Sequence, residues 1–277
     1  EQIGILRTIS SLTAAIGDDD TLTTDEGSDI VLGGAQDDAI TAYLATEVES
    51  DTILGDSGSI TFEVDGSIKT IATTDSGIGG SDTIHTQNGA DIVIGGAAGD
   101  IITTGTDASG DTARDIVLGD EGSATFDSQG RIDQIQSTNT DTGGNDHITT
   151  GGGPDIVLAG AAQDTVLTES GDDIVLGDSG EATFNSDLDT DVLAEQIGIL
   201  RTISSQTAAI GDNDTITTDE GSDIVLGGAK DDAITAYLAT EIESDTILGD
   251  SGSITFELDG SIKTIATTDS GIGGSDT

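Results

Sequence analysis

Along much of this chain an aspartate returns every nine residues, with an aliphatic residue two places after it. The first run is Asp20, Asp29, Asp38 and, after a short insertion, Asp51, followed by Leu22, Val31, Ile40 and Ile53 in the aliphatic place. The same frame holds for Asp82, Asp91, Asp100 and Asp115, for Asp146, Asp155, Asp164 and Asp173, and for Asp214, Asp223, Asp232 and Asp245. Nine residues past the fourth aspartate the marker is lost, at Ile60, Ala124, Ala182 and Ile254. Two places further on stand all four phenylalanines, Phe62, Phe126, Phe184 and Phe256. A period of nine holds one short strand and one turn, which is half a coil of a flattened solenoid. The aliphatic residue then points inward and its two neighbours outward.

The frame sits inside longer repeats. Residues 1–83 return as residues 195–277, and only six pairs differ: Leu12/Gln206, Asp19/Asn213, Leu22/Ile216, Gln36/Lys230, Val48/Ile242 and Val64/Leu258. One long repeat therefore spans 1–194 and the start of the next spans 195–277. Within it lie three units, at about 17–79, 80–142 and 143–194, the last continuing to 210. Three coils per unit make nine per long repeat, a rise of ~43 Å at the usual strand spacing. The span starts and stops in mid-pattern, as a window on a longer tandem array would.

Composition fixes what such a solenoid needs. There are 54 acidic and 7 basic Lys/Arg residues, a formal charge of −47, with six aromatics and no Cys, Met or Trp. A folded chain this acidic repels itself unless cations are bound. Nucleic acid and anionic membrane surfaces are poor partners for it, and divalent cations good ones. Without Cys there is no disulfide framework, and no apolar run is long enough to span a bilayer.

Gly33–Thr41 (GGAQDDAIT), Gly95–Thr103 (GGAAGDIIT), Thr86–Ile94 (TQNGADIVI) and Gly151–Asp155 (GGGPD) resemble the nonapeptide G-G-x-G-x-D-x-U-x of the RTX, or haemolysin-type, calcium-binding proteins. The resemblance implies an all-β parallel roll of about 18 residues per coil, with Ca2+ between successive turns. Asp carboxylates and turn carbonyls would supply the ligands. The implied metal-binding residues are the sixteen markers named above. Folding would then be coupled to calcium, because stacked carboxylates repel without it. The sequence departs from the pattern at Ala15-Ile16-Gly17-Asp18, where glycines are missing. It departs again in a recurring Leu-Gly-Asp-Ser/Glu-Gly, which puts Asp56, Asp120, Asp178 and Asp250 at the second glycine. These four are extra ligands, replacements for the lost marker, or solvated turn residues.

The segments that follow contain Phe62–Ile71, Ile132–Ile135 and Leu200–Ile203 around Asp-Gly or Gln-Gly turns, and read as β-arcs or hairpins projecting from the roll. A short helix is an option around Asn185–Ile199. The two sides of the roll also differ. One has outward Thr21, Thr23, Ala39, Thr41, Thr83, His85, His147 and Thr149. The other has outward Ile30, Leu32, Ile92, Ile94, Ile116, Leu118, Ile156, Leu158, Ile174 and Leu176. A sheet apolar on both faces is covered on both. The projecting hairpins or a neighbouring rod must therefore bury this stripe.

These features point to a structural, calcium-stabilised segment of an extracellular filament or adhesin stalk, secreted or on a cell surface. A glycan- or ice-binding face competes, although His85, Ala39, His147 and Leu167 break its Thr-x-Thr rows. An accessory module of a secreted enzyme is a third reading. No nucleophile partners His85 or His147. Asp187-x-Asp189-x-Asp191 starts like an EF-hand but has Val192 where Gly is needed and Gly198 where Glu is needed. We therefore expect no catalytic residues.

Overall fold

The computed structural model describes residues 6–13, 16–43, 48–74, 76–105, 110–184, 199–207, 210–236, 243–268 and 274–277, and all regular structure among them is β. The possible helix at Asn185–Ile199 falls almost wholly outside the described residues.

Strand β1 (Thr8–Ser10) precedes the first unit. That unit holds β2 (Thr21–Thr24), β3 (Ile30–Gly34), β4 (Ala39–Ala42), β5 (Thr52–Asp56), β6 (Gly58–Phe62) and β7 (Ile68–Thr73). The second holds β8 (Thr83–His85), β9 (Ile92–Gly96), β10 (Ile101–Thr103), β11 (Ile116–Asp120), β12 (Gly122–Phe126) and β13 (Ile132–Ser137). The third holds β14 (His147–Thr149), β15 (Ile156–Gly160), β16 (Thr165–Leu167), β17 (Ile174–Asp178), β18 (Gly180–Phe184) and β19 (Leu200–Ser205). The second copy adds β20 (Thr215–Thr218), β21 (Ile224–Gly228), β22 (Ala233–Ala236), β23 (Thr246–Asp250), β24 (Gly252–Phe256) and β25 (Ile262–Thr267).

Each unit gives two strands to each of three sheets. The polar sheet runs β2-β4-β8-β10-β14-β16-β20-β22 and the central sheet β3-β5-β9-β11-β15-β17-β21-β23, both parallel throughout. The third sheet, β1-β6-β7-β12-β13-β18-β19-β24-β25, is antiparallel. The residues two past each marker align in register: Ile40 with Ile84 and Ile84 with Ile102 in the polar sheet, Val93 with Val117 and Val117 with Val157 in the central one. These two columns face each other and form the inner core. Its side chains are small because the two sheets are joined by turns of only a few residues.

The hairpins exist as expected, with β6–β7 closing on Asp65-Gly66 and β12–β13 on Gln129-Gly130. They do not project from the roll. They fold back flat and pair with one another, so β7 joins β12 and β13 joins β18 across units. Their inner face, with Ile60, Ile71, Ala124, Ile135, Ala182 and Ile203, packs on the outer face of the central sheet to make a second core. The four phenylalanines lie at the rim of this layer, each beyond a register shift in its hairpin.

Two expectations are corrected by this layer. The stretch with the lost marker is not a third coil but the first strand of a hairpin, so a long repeat has six coils rather than nine. Its rise is about 29 Å, six strand spacings, instead of ~43 Å. The stripe from Ile30 and Leu32 to Ile174 and Leu176 belongs to a core within the chain, so it offers no surface for association between rods. Ile94, Ile156 and Leu158 are fully buried there.

Candidate metal centre

The coil turns along two edges. At the first, the chain leaves the central sheet, turns, and enters the polar sheet at an aspartate. In the tight turns, Gly34, Gly96, Gly160 and Gly228 have φ between 121° and 124°, a conformation that a Cβ resists. At the second edge the chain returns from the polar sheet to the central one, again entering at an aspartate.

The markers stack into two ladders. On the first edge each backbone N–H donates to Oδ1 of the next aspartate along: Asp20 to Asp38, then Asp82, Asp100, Asp146, Asp164, Asp214, Asp232 and Asp276, at 2.7–3.1 Å. On the second edge the run is Asp29, Asp51, Asp91, Asp115, Asp155, Asp173, Asp223 and Asp245, at 2.8–3.1 Å. One oxygen of each carboxylate thus stitches coil to coil. All sixteen markers named from the sequence fall on these ladders. Asp276, the copy of Asp82 at an offset of 194, extends the first ladder beyond those sixteen.

The other oxygen has a different fate. In Asp38, Asp82, Asp100, Asp146, Asp164, Asp214 and Asp232 on the first edge, and in Asp29 on the second, Oδ2 is buried with no hydrogen-bond partner. Such an oxygen demands a proton or a cation. On the first edge it points into a cradle. A methyl group placed on Gly95 would collide with both Asp100 Oδ2 and the Gly119 carbonyl oxygen. On Gly119 it would strike Asp146 Oδ2 and the Ala159 carbonyl, and on Gly55, Asp82 Oδ2 and the Gly95 carbonyl. Carboxylate and carbonyl oxygens from successive coils therefore converge in front of each glycine.

The energetics favour a cation. Burial, then repulsion from Asp146, pushes Asp100 up to about 10 and Asp164 up to about 11. Burial, then Asp155, pushes Asp115 up to about 9. Burial also lifts Asp82, Asp214 and Asp173 to about 8 and Asp155 and Asp232 to about 7, and it raises Asp38 and Asp146. On the second edge these shifts are held back by the buried hydroxyls of Thr104, Thr150 and Thr168 beside Asp115, Asp155 and Asp173. This threonine column stands where the nonapeptide has its first glycine, and its role emerges only once the coils are stacked.

Asp56, Asp120 and Asp178 differ from the markers. They stand where the chain leaves the coil for its hairpin. Asp56 Oδ2 accepts from Ala97 N–H at 2.5 Å, and its Oδ1 from Gly80 N–H at 3.1 Å, where the hairpin rejoins the coil. Asp120 does the same with Ala161 (2.5 Å) and Gly144 (3.0 Å), and Asp178 accepts from Ala229. Gly79, Gly143 and Gly211 lie so close that a Cβ would strike these carboxylates. The three are buried, not solvated, and burial lifts them to about 7, 8 and 8. Gly17, in the turn that departs from the pattern, occupies the same re-entry position. Asp250 is half-buried at the equivalent exit.

This geometry makes a prediction. Asp120→Ala should leave the buried Ala161 N–H and the half-buried Gly144 N–H unpartnered and cost about 3 kcal/mol in calcium-saturated denaturant melts. Calcium stoichiometry should stay unchanged. A loss of one ion would instead make Asp120 a ligand.

The donor set is oxygen alone, as a hard cation requires, and Ca2+ takes six to eight oxygens. Among the described residues no three His, Cys, Asp or Glu side chains gather round one point, so a calcium ion here would draw on turn carbonyls as well as carboxylates. The orphaned oxygens and the carbonyls that converge beside them fit Ca2+.

Comparison with known families agrees. The family model for the RTX calcium-binding nonapeptide repeat matches residues 16–42, 76–109, 140–175, 149–184 and 211–236. Comparison with curated proteins gave no match.

Proposed function

Since the chain belongs to the RTX calcium-binding nonapeptide-repeat family and binds Ca2+ at multiple sites, we propose that it is a segment of a rigid extracellular rod, the filament or stalk of a secreted or cell-surface adhesin. The observation that carries this reading is the matched growth of three sheets. Every unit adds two strands to each, so stacking can continue without an internal end. Near-identity between residues 1–83 and 195–277 suits a length-making element, with 1–194 as its period. The marker aspartates of both ladders are the proposed calcium ligands. Calcium is plentiful outside cells and scarce in the cytosol, so folding would be delayed until after export.

Fibre diffraction or electron microscopy of a multi-repeat array in calcium tests this. We expect straight rods with an axial repeat of about 29 Å and a strong meridional spacing of about 4.8 Å. Flexible beads on a string would refute it.

A further inference from the structure

We infer that the file of calcium ions along the first edge is interrupted at one coil, where Ala159 fills the cradle that a glycine leaves open elsewhere. The inference rests on the calcium reading above and concerns how many ions the chain holds. The column in question is Gly33, Gly55, Gly95, Gly119, Ala159, Gly177, Gly227 and Gly249. Register fixes its alignment: Leu118 pairs with Leu158 and Leu158 with Leu176, so Gly119, Ala159 and Gly177 are the next residues in three adjacent strands.

Each glycine faces the Oδ2 of the next first-edge aspartate along the chain and the carbonyl of the next residue in the column. Gly33 faces Asp38 and Gly55, Gly177 faces Asp214 and Gly227, and Gly227 faces Asp232 and Gly249. By register position 159 stands opposite Asp164 and Gly177, and its methyl group holds their oxygens further off than a Cβ would meet them at the glycines. Here the space already holds a methyl group, and Ala159 is fully buried. Asp164 Oδ2 is buried without a hydrogen-bond partner at this level. A methyl group cannot ligate calcium, unlike the hydroxyl of the threonine that stands at this nonapeptide place on the second edge, and it occupies the room between the first-edge oxygens that would. The coil is retained because Ala159 also packs in the inner core beside Val157 and Val175.

Flow dialysis with radioactive calcium at saturation, on the whole chain, decides the matter. Ala159→Gly should bind one more ion than the parent, and its melting temperature should rise in calcium but not in chelator at pH 5, where the chelated chain stays folded. Gly95→Ala, which fills a working cradle, should bind one fewer. If Ala159→Gly leaves the count unchanged, the interruption is refuted. If the parent and both variants bind no calcium, the underlying reading fails instead.

Discussion

At pH 8, a chelator added to the calcium-saturated chain should abolish its β-sheet circular dichroism, whereas at pH 5 the same chelator should leave most of it. The reason lies in the two ladders. Neighbouring charges at the roughly 5 Å strand spacing repel by about 3 kcal/mol at an effective dielectric near 20. A handful of such pairs exceeds the 5–15 kcal/mol or so that holds a typical domain together. Only a bound cation or a proton removes the repulsion.

The direction with pH follows. Without calcium, the folded-state values of about 7 to 11 lie far above the ordinary 3.8. Folding then takes up protons between those limits, so stability without the ion is greatest below about 3.8, is partly kept at pH 5, and falls as pH rises toward and through the folded values. Calcium must displace these protons, so its apparent affinity rises over the same range. Chelator melts at half-unit steps from pH 4.5 to 8.5 would show this. A chelated chain as stable at pH 8 as at pH 5 would contradict it.

Replacing Leu118 with aspartate should be as damaging at one point as chelation is along the rod. Leu118 is 1 % exposed, in the middle of the central sheet, and its side chain lies against the backbone of Gly122, where a Cβ would hit it. An unpaired carboxylate there would sit between two apolar sheets, at a cost of more than about 4 kcal/mol. Leu118→Ala, which leaves only a cavity, should cost about 2–5 kcal/mol. In saturating calcium the aspartate variant should lose its cooperative melt and expose apolar surface to a hydrophobic dye. The alanine variant should keep the melt at lower temperature. A wild-type melt for Leu118→Asp would show that the hairpin layer does not seal this face.

The nine-residue frame was legible because its two demands, an aspartate at the turn and an aliphatic residue two places on, stay fixed through every insertion. Legible too was the need to cover Ile92, Ile94, Ile116 and Leu118, since alternation cannot leave both faces of a sheet apolar in water. Less legible was the cover itself. Ile60 and Phe62 alternate as well in a hairpin as in a coil, because the period of two is the same in both. Only the lost marker at Ile60, Ala124, Ala182 and Ile254 tells them apart, and a decayed nonapeptide would show the same loss. The clamps at Asp56, Asp120 and Asp178 were hidden for another reason. Their partners at Gly80, Gly144 and Ala229 come together only after a hairpin excursion or a full coil, distances that no local motif records.

The most direct measurement is a calcium anomalous difference map from crystals of the chain grown in calcium. The stacked-carboxylate account predicts peaks between coils on the first edge, within about 2.3–2.6 Å of oxygens such as Asp82 Oδ2, Asp100 Oδ2 and the Gly119 carbonyl. An ordered solenoid with no anomalous density along either edge would contradict it.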